Sequence, residues 1–449
     1  MGTLFDSQLF GGLYATAPVR ECFTSTAMLQ GWLDAEVALA QAQGEFGIIP
    51  AESAEVIAKQ AKAENFDLQE MLEGIQATGH PLVPAVRMLV ESCGPEHGKW
   101  VHWGATTQDI IDTGLLLQLQ RALPFLAADL EVSIAEAAAL IPAHKRSMMA
   151  GRTHFQHAIP IPFSQKLVIW VDELMRAHER FTQAVEKVAV ASLAGAAGTL
   201  ATLPEEGSRV RTRFAEILGL NDPVVPWHTS RDRVRDLAFA LDQIATAAER
   251  IGGEVIRMQS TELSELREPA APQHVGSSTM PQKRNPFTSE LMCMNARLVH
   301  GTVSAIASNG AHSYERDMVN WSMEWFTIPS VVMLASGVLS KLNVVTSGLE
   351  VNVDRMRDNL ATSEPLIMSE AIMMTLASEI GHEEAHEIVH QAAALGNVTT
   401  EEFLRAIYEH SDQKGVDRAL IENAIEPSTY IGLVDDYIAH VERRVGDFV

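Results

Sequence analysis

Apolar positions along this chain recur at helical spacing over long stretches. The clearest run is Val234, Leu237, Leu241, Ile244, Ala248, Ile251, Val255 and Met258, whose spacings alternate between three and four. That is a heptad seam, and it predicts one long helix packed along its side. No proline interrupts the seam, and Gly252–Gly253 is its one weak spot. Leu115–Leu140, which contains Pro124, and Ser164–Leu193 follow the same pattern. So do Ser289–Ser308 and Pro329–Leu349. Alternating strand-like patterns are scarce, and Ala, Leu, Glu and Gln are abundant. The pattern predicts an all-α protein in which long helices pack against one another as a bundle.

The flanks read differently. Up to about Trp103 the helical patterns are short and are broken by Gly79-His80-Pro81 and Gly94-Pro95. After about Val351, Gly381, Gly396 and Gly415 divide short helices. We therefore expect three helical domains: 1–105, a central long-helix bundle over 106–350, and 351–449. More apolar seam is present than one subunit covers, which points to a homo-oligomer.

Composition narrows the function. The chain has 449 residues and a net charge of −24, which disfavours nucleic-acid backbones and anionic membranes as partners. A local basic pocket on such a surface still accommodates an anionic substrate. Cys22, Cys93 and Cys293 are odd in number and lack metal or disulfide spacing, and we read them as reduced. The N-terminus carries no basic region followed by an apolar stretch, and no run of about 18 uninterrupted apolar residues occurs. The expected location is the cytoplasm.

Four polar clusters interrupt the helical patterns, each near an apparent helix end. The first is Trp103-Gly-Ala-Thr-Thr-Gln-Asp109, where Thr106 and Thr107 either cap a helix or offer hydroxyls and N–H groups to a carboxylate. The second, Gly151-Arg-Thr-His-Phe-Gln-His157, places His154 between a hydroxyl and an amide, which suits acid–base work. The third is the loop 276–286, Gly-Ser-Ser-Thr-Met-Pro-Gln-Lys-Arg-Asn-Pro. The fourth, His312-Ser-Tyr-Glu-Arg-Asp317, reads equally well as a solvated salt-bridge network. His382, His386 and His390 share a helical face but lack supporting groups, so no metal site is expected.

The loop 276–286 resembles the signature of the fumarase/aspartase superfamily, Gly-Ser-Ser-x-Met-Pro-x-Lys-x-Asn-Pro, at every defined position. Val101–Gly114 and Gly151–Pro160 resemble the other family regions. Pro226-Trp-His-Thr-Ser-Arg-Asp-Arg233 and Glu324-Trp325 look most like bacterial 3-carboxy-cis,cis-muconate cycloisomerases, with adenylosuccinate lyase the next branch. The resemblance implies a homotetramer with a multi-helix core, whose active sites draw on three subunits and need no cofactor. It implies proton abstraction next to a carboxylate by Ser277, giving an aci-carboxylate held by Lys283 and Asn285. It implies that Thr106, Thr107 and Gln156 bind substrate carboxylates, with Ser278 and Met280 beside them, and that His154 is the general acid. Arg20 and Arg316 are candidate further clamps, because guanidinium pairs with carboxylate in a fork.

Two positions depart from the nearest branches. His154 stands where the cycloisomerases tend to carry tryptophan, and Gln282 stands where adenylosuccinate lyases commonly carry histidine. The resemblance therefore implies an isomerase of a small polycarboxylate with a succinyl-like unit, by cycloisomerisation or by epimerisation of an iminodisuccinate-type substrate. The alternative is a β-eliminating lyase that releases fumarate from an N-substituted aspartate.

Overall fold

A computed structural model describes residues 4–203, 205–270, 280, 283–394 and 399–448. These residues form eighteen α-helices and very little sheet. Six helices matter most here: α1 (Ser25–Glu45), α2 (Thr107–Ala139), α3 (Phe163–Val188), α4 (Asp232–Met258), α5 (Phe287–Ser308) and α6 (Met318–Ser347).

The heptad seam lies on α4, and each of its residues is at most 4% exposed. Gly252–Gly253 does not break the helix. The other long elements are where the periodicity puts them, with shifted ends. Helix α2 starts at Thr107, ahead of the expected Leu115. Asp109 explains the early start, because an acidic group in the first turn suits the helix dipole. Helix α6 starts at Met318, so Pro329 lies inside it and does not open it. Proline suits a first turn, which is why the sequence suggested a start there. Inside the helix it loses one hydrogen bond and its ring crowds the preceding turn, and the buried packing of α6 outweighs both. By length and composition α6 could also cross a membrane. Of its apolar window, 78% is buried inside the protein, as in a core helix.

The chain divides into two compact units. The first comprises Met1–Leu130, Ala177–Glu249 and Leu291–Ser340. Within it, α1 meets α2 at paired glycines: a Cβ on Gly31 would lie 2.9 Å from the Gly114 carbonyl oxygen. Only residues without side chains permit that approach.

The second unit comprises Glu131–Arg176, Arg250–Glu290 and Lys341–Val449. Its core gathers Leu360, Ile372, Leu376, Phe403, Ile407 and Ile421. Gly381 and Gly415 end helices with φ of 89° and 72°, as their places between helical patterns suggested. Gly396 lies outside the described residues. This unit also contains an antiparallel hairpin, β1 (Met148–Thr153) and β2 (Gln156–Pro162). The second polar cluster therefore sits on strands, not at a helix end. Arg-Thr-His-Phe-Gln is too short to display period-two alternation, so the strands were invisible in the pattern.

Candidate active site

In the first unit the chain enters α2 through Gly104, whose φ of 80° makes a turn that glycine accommodates. Asp109, in the first turn of α2, is fully buried. Its carboxylate accepts the N–H groups of Thr106 (3.0 Å), Ala194 (2.9 Å) and Gly195 (2.9 Å). His228 Nε2 lies 2.7 Å from the same carboxylate. One buried anion thus ties the Thr106 turn to the 194–195 loop, and its burial is offset by these bonds.

Thr106 and Arg316 come together. Arg316 Nη2 donates to Thr106 Oγ1 at 2.8 Å and to the Ala196 carbonyl at 3.1 Å. Arg316 Nε donates to Gln108 Oε1 at 3.0 Å. Thr107 opens α2 and is half-buried. Arg20 Nη1 donates to the Phe5 carbonyl at 3.1 Å. The fourth polar cluster is not a salt-bridge network. Asp317 accepts the N–H groups of Ser313 (3.0 Å), Val319 (3.1 Å) and Asn320 (3.2 Å), capping α6. The N–H groups of Asn320 and Ser313 hold its carboxyl below the usual range.

Behind Gln108 lies a buried ionic group. Arg231 is about 2% exposed and forks onto Asp112, with Nη1–Oδ2 at 2.8 Å and Nη2–Oδ1 at 3.1 Å. Arg231 Nε donates to Glu324 Oε2 at 3.0 Å. Trp321 Nε1 donates to Asp112 at 2.8 Å, and the guanidinium lies 4.5 Å from the Trp227 ring centre. Burial raises the Glu324 carboxyl despite the opposing charge of Arg231. His312 lies nearby, with Nε2 3.9 Å from Glu324. Burial, aided by the Arg231 charge, holds its ring below the usual histidine range.

The second unit carries the other candidates. Thr153 pairs with Gln156, leaving His154 and Phe155 as a two-residue turn. Their φ values are 50° and 64°, left-handed at both positions without a glycine. Such a turn matches the twist of a hairpin, yet non-glycine residues adopt it at a cost. His154 and Gln156 are both exposed at this tip. The hairpin base is fixed: Arg152 forks onto fully buried Glu265 at 2.6 and 3.0 Å. Asn359 Nδ2 donates to the same carboxylate at 2.8 Å. His157 Nδ1 lies 2.6 Å from Ser363 Oγ.

Ser277 and Ser278 lie outside the described residues. Lys283 and Met280 are exposed and Asn285 is half-buried. The Lys283 N–H donates to the Met280 carbonyl at 3.0 Å. The end of the signature is fastened on both sides. Arg284 donates to Glu350 at 2.8 and 3.1 Å, and Gln259 Nε2 donates to the Arg284 carbonyl at 3.0 Å. Buried Glu268 caps α5, accepting the N–H groups of Thr288 (2.9 Å) and Ser289 (2.8 Å).

Sequence reasoning missed Asp109, Asp112, Arg231, Glu265 and Glu268. The available signal was charge inside otherwise apolar helical patterns, as with Asp112 in α2 and Glu324 in α6, since a buried charge needs a partner. The partners are far apart in sequence, so pairing was not readable. His382, His386 and His390 do stack, with ring centres 6.4 and 5.9 Å apart. No cluster of three or more potential metal ligands occurs among the described residues.

The family described as "Lyase" matches residues 14–301, and "Adenylosuccinate lyase C-terminus" matches 365–441. The chain is 35% identical over 439 residues to N-acetyl-S-(2-succino)cysteine lyase of Enterococcus italicus, covering 98% of this chain and 96% of the relative. It is also 35% identical over 446 residues to 3-carboxy-cis,cis-muconate cycloisomerase of Pseudomonas aeruginosa, covering 98% and 96%. The crystal structure of 3-carboxy-cis,cis-muconate lactonizing enzyme from Pseudomonas putida superposes with a TM-score of 0.91 at 30% identity, covering 98% of this chain and 100% of that one. The chain is an enzyme of the fumarase/aspartase superfamily, predominantly helical and similar both to cycloisomerases and to lyases.

Proposed function

We propose that the enzyme is a cofactor-independent isomerase of a small polycarboxylate with a succinyl-like unit, working as a cytoplasmic homotetramer. Ser277 removes a proton from the carbon next to a carboxylate when the substrate is epimerised. In lactone formation the same step runs in reverse, a substrate carboxylate adding to the double bond and the proton passing to that carbon. An alcohol is a weak base near neutral pH, so the step relies on the Lys283 charge and neighbouring N–H groups. The electrons released move into the carboxylate and make it a dianionic aci-carboxylate, which Lys283 and Asn285 stabilise. His154 carries the second proton transfer on the opposite face. Thr106, Thr107, Gln156 and Arg316 hold substrate carboxylates, with Ser278 and Met280 lining the same site and Arg20 a further clamp. The site is completed by regions from three subunits, each with domains at 1–105, 106–350 and 351–449.

The observation that carries the reading is the presentation of His154. It stands exposed at a left-handed hairpin tip whose base is clamped by Arg152 and Glu265. An acid–base group held on a strained turn over a rigid base is arranged for reaction more than for packing.

Histidine at this position also favours a second reading, β-elimination. There His154 protonates the leaving heteroatom as its bond to the carbon beside the aci-carboxylate carbon breaks, and fumarate is released. The test is product analysis by NMR with 3-carboxy-cis,cis-muconate, single iminodisuccinate stereoisomers, N-acetyl-S-(2-succino)cysteine and adenylosuccinate. A lactone, or inversion without fumarate, supports the isomerase. Fumarate formed in step with substrate loss makes the enzyme a lyase.

A further inference from the structure

Arg316 has no helix to orient it. It lies in the irregular segment before α6, two residues after Tyr314, which is 91% exposed with φ 53°. What orients its guanidinium is a buried amide. Gln108 is fully buried in the first turn of α2. Its Nε2 donates to the His228 carbonyl at 2.9 Å and to Asp112 Oδ2 at 3.2 Å. Both of those acceptors are themselves buried, and Asp112 is locked by Arg231. With Nε2 committed, the amide must turn Oε1 outward, and Oε1 accepts Arg316 Nε at 3.0 Å. Thr106 Oγ1 and the Ala196 carbonyl take Nη2. None of these three bonds uses Nη1, which is left to face an anion.

We propose that Gln108 is a positioning residue: its buried amide transmits the rigidity of the Arg231–Asp112 pair to Arg316 and aims that guanidinium at a substrate carboxylate. The inference rests on the reading that Arg316 contacts substrate. Gln108 touches no substrate itself. Its effect passes through one hydrogen bond, so it must vanish when Arg316 is removed.

The experiment is calorimetric titration of the assembled enzyme with tricarballylate, a stable tricarboxylate probe. Wild type, Gln108→Met, Arg316→Ala and the double variant are compared, with thermal midpoints recorded alongside. Arg316→Ala should weaken binding at least tenfold, and Gln108→Met about tenfold, the scale of one charge-assisted hydrogen bond. The double variant should bind like Arg316→Ala alone. Additive losses, or full affinity in Gln108→Met, would overturn the positioning role while leaving the Arg316 clamp standing. Unchanged affinity in Arg316→Ala, or no binding by wild type, would remove the clamp reading and the inference with it. Should Gln108→Met fail to assemble, Arg316→Lys decides. It keeps the charge but has no Nε–H for Gln108, so wild-type affinity in that variant would contradict the proposal.

Discussion

Arg152 and Glu265 lie 113 residues apart in sequence, and two parallel hydrogen bonds of 2.6 and 3.0 Å join them beneath the turn that carries His154. The carboxylate is fully buried and the arginine side chain is 18% exposed. Cutting one partner leaves the other charge uncompensated. Arg152→Ala should therefore destabilise the fold by about 3–5 kcal/mol, read as a lower urea midpoint. Arg152→Lys keeps the charge but not the fork, and should recover only part of the loss.

The turn itself separates folding from chemistry. Asparagine tolerates left-handed φ better than most residues. His154→Asn should keep the hairpin and wild-type stability while turnover collapses. Phe155→Gly removes the cost of φ 64° and should raise stability by about 0.5–1 kcal/mol. Thermal midpoints and turnover of the two variants check both statements. A His154→Asn enzyme of normal turnover would exclude the acid–base role.

Glu268→Gln tests the anchor of the signature loop. Glutamine fits the space, but its NH2 would face one of the N–H groups that Glu268 now accepts from Thr288 and Ser289. The expected cost is about 1–3 kcal/mol from the unmade bond. Because α5 begins one residue after Pro286, turnover should fall as well. Wild-type turnover and stability together would show that the cap does not position Lys283 and Asn285.

Much of this fold was legible in the chain. The seam from Val234 to Met258 is one long buried helix, and the other long helices follow the same logic, because burial on one face imposes a period on the sequence. Boundaries shifted where one residue serves two purposes. Pro329 resembles a helix start yet sits inside α6, where surrounding packing outweighs one missing hydrogen bond. Within the site, Thr106 and Arg316 were both marked from sequence as carboxylate contacts, and they are hydrogen-bonded to each other. The supports were not legible. Arg231 between Asp112 and Glu324, or Glu265 under Arg152, are pairings fixed by tertiary geometry, and no local spacing encodes them.

Stability should also depend on pH through His102. Its Nδ1 lies 2.6 Å from Glu36 Oε1. Burial of the ring opposes protonation, but the Glu36 charge and hydrogen bond outweigh it, so the histidine is raised above its ordinary value. The stabilisation is then fully present below the unfolded value, about 6.5, and is lost as pH rises through the higher folded value. His312 is lowered, so its contribution is present above about 6.5 and is lost on acidification. Above about pH 7, where the lowered His312 is neutral in both states, urea midpoints should fall with pH in wild type and less steeply in His102→Asn. Equal slopes would contradict the assignment.

The central claim is proton removal next to a carboxylate with Ser277 as base. Proton NMR in D2O, following the substrate on which turnover is found, tests it most directly when wild type and Ser277→Ala are run side by side. The account predicts solvent deuterium at the carbon beside the carboxylate in wild type. In a folded, assembled Ser277→Ala enzyme the exchange should be slower by several orders of magnitude. Exchange at the wild-type rate in that variant, or wild-type turnover that neither breaks nor makes this C–H bond, would contradict it.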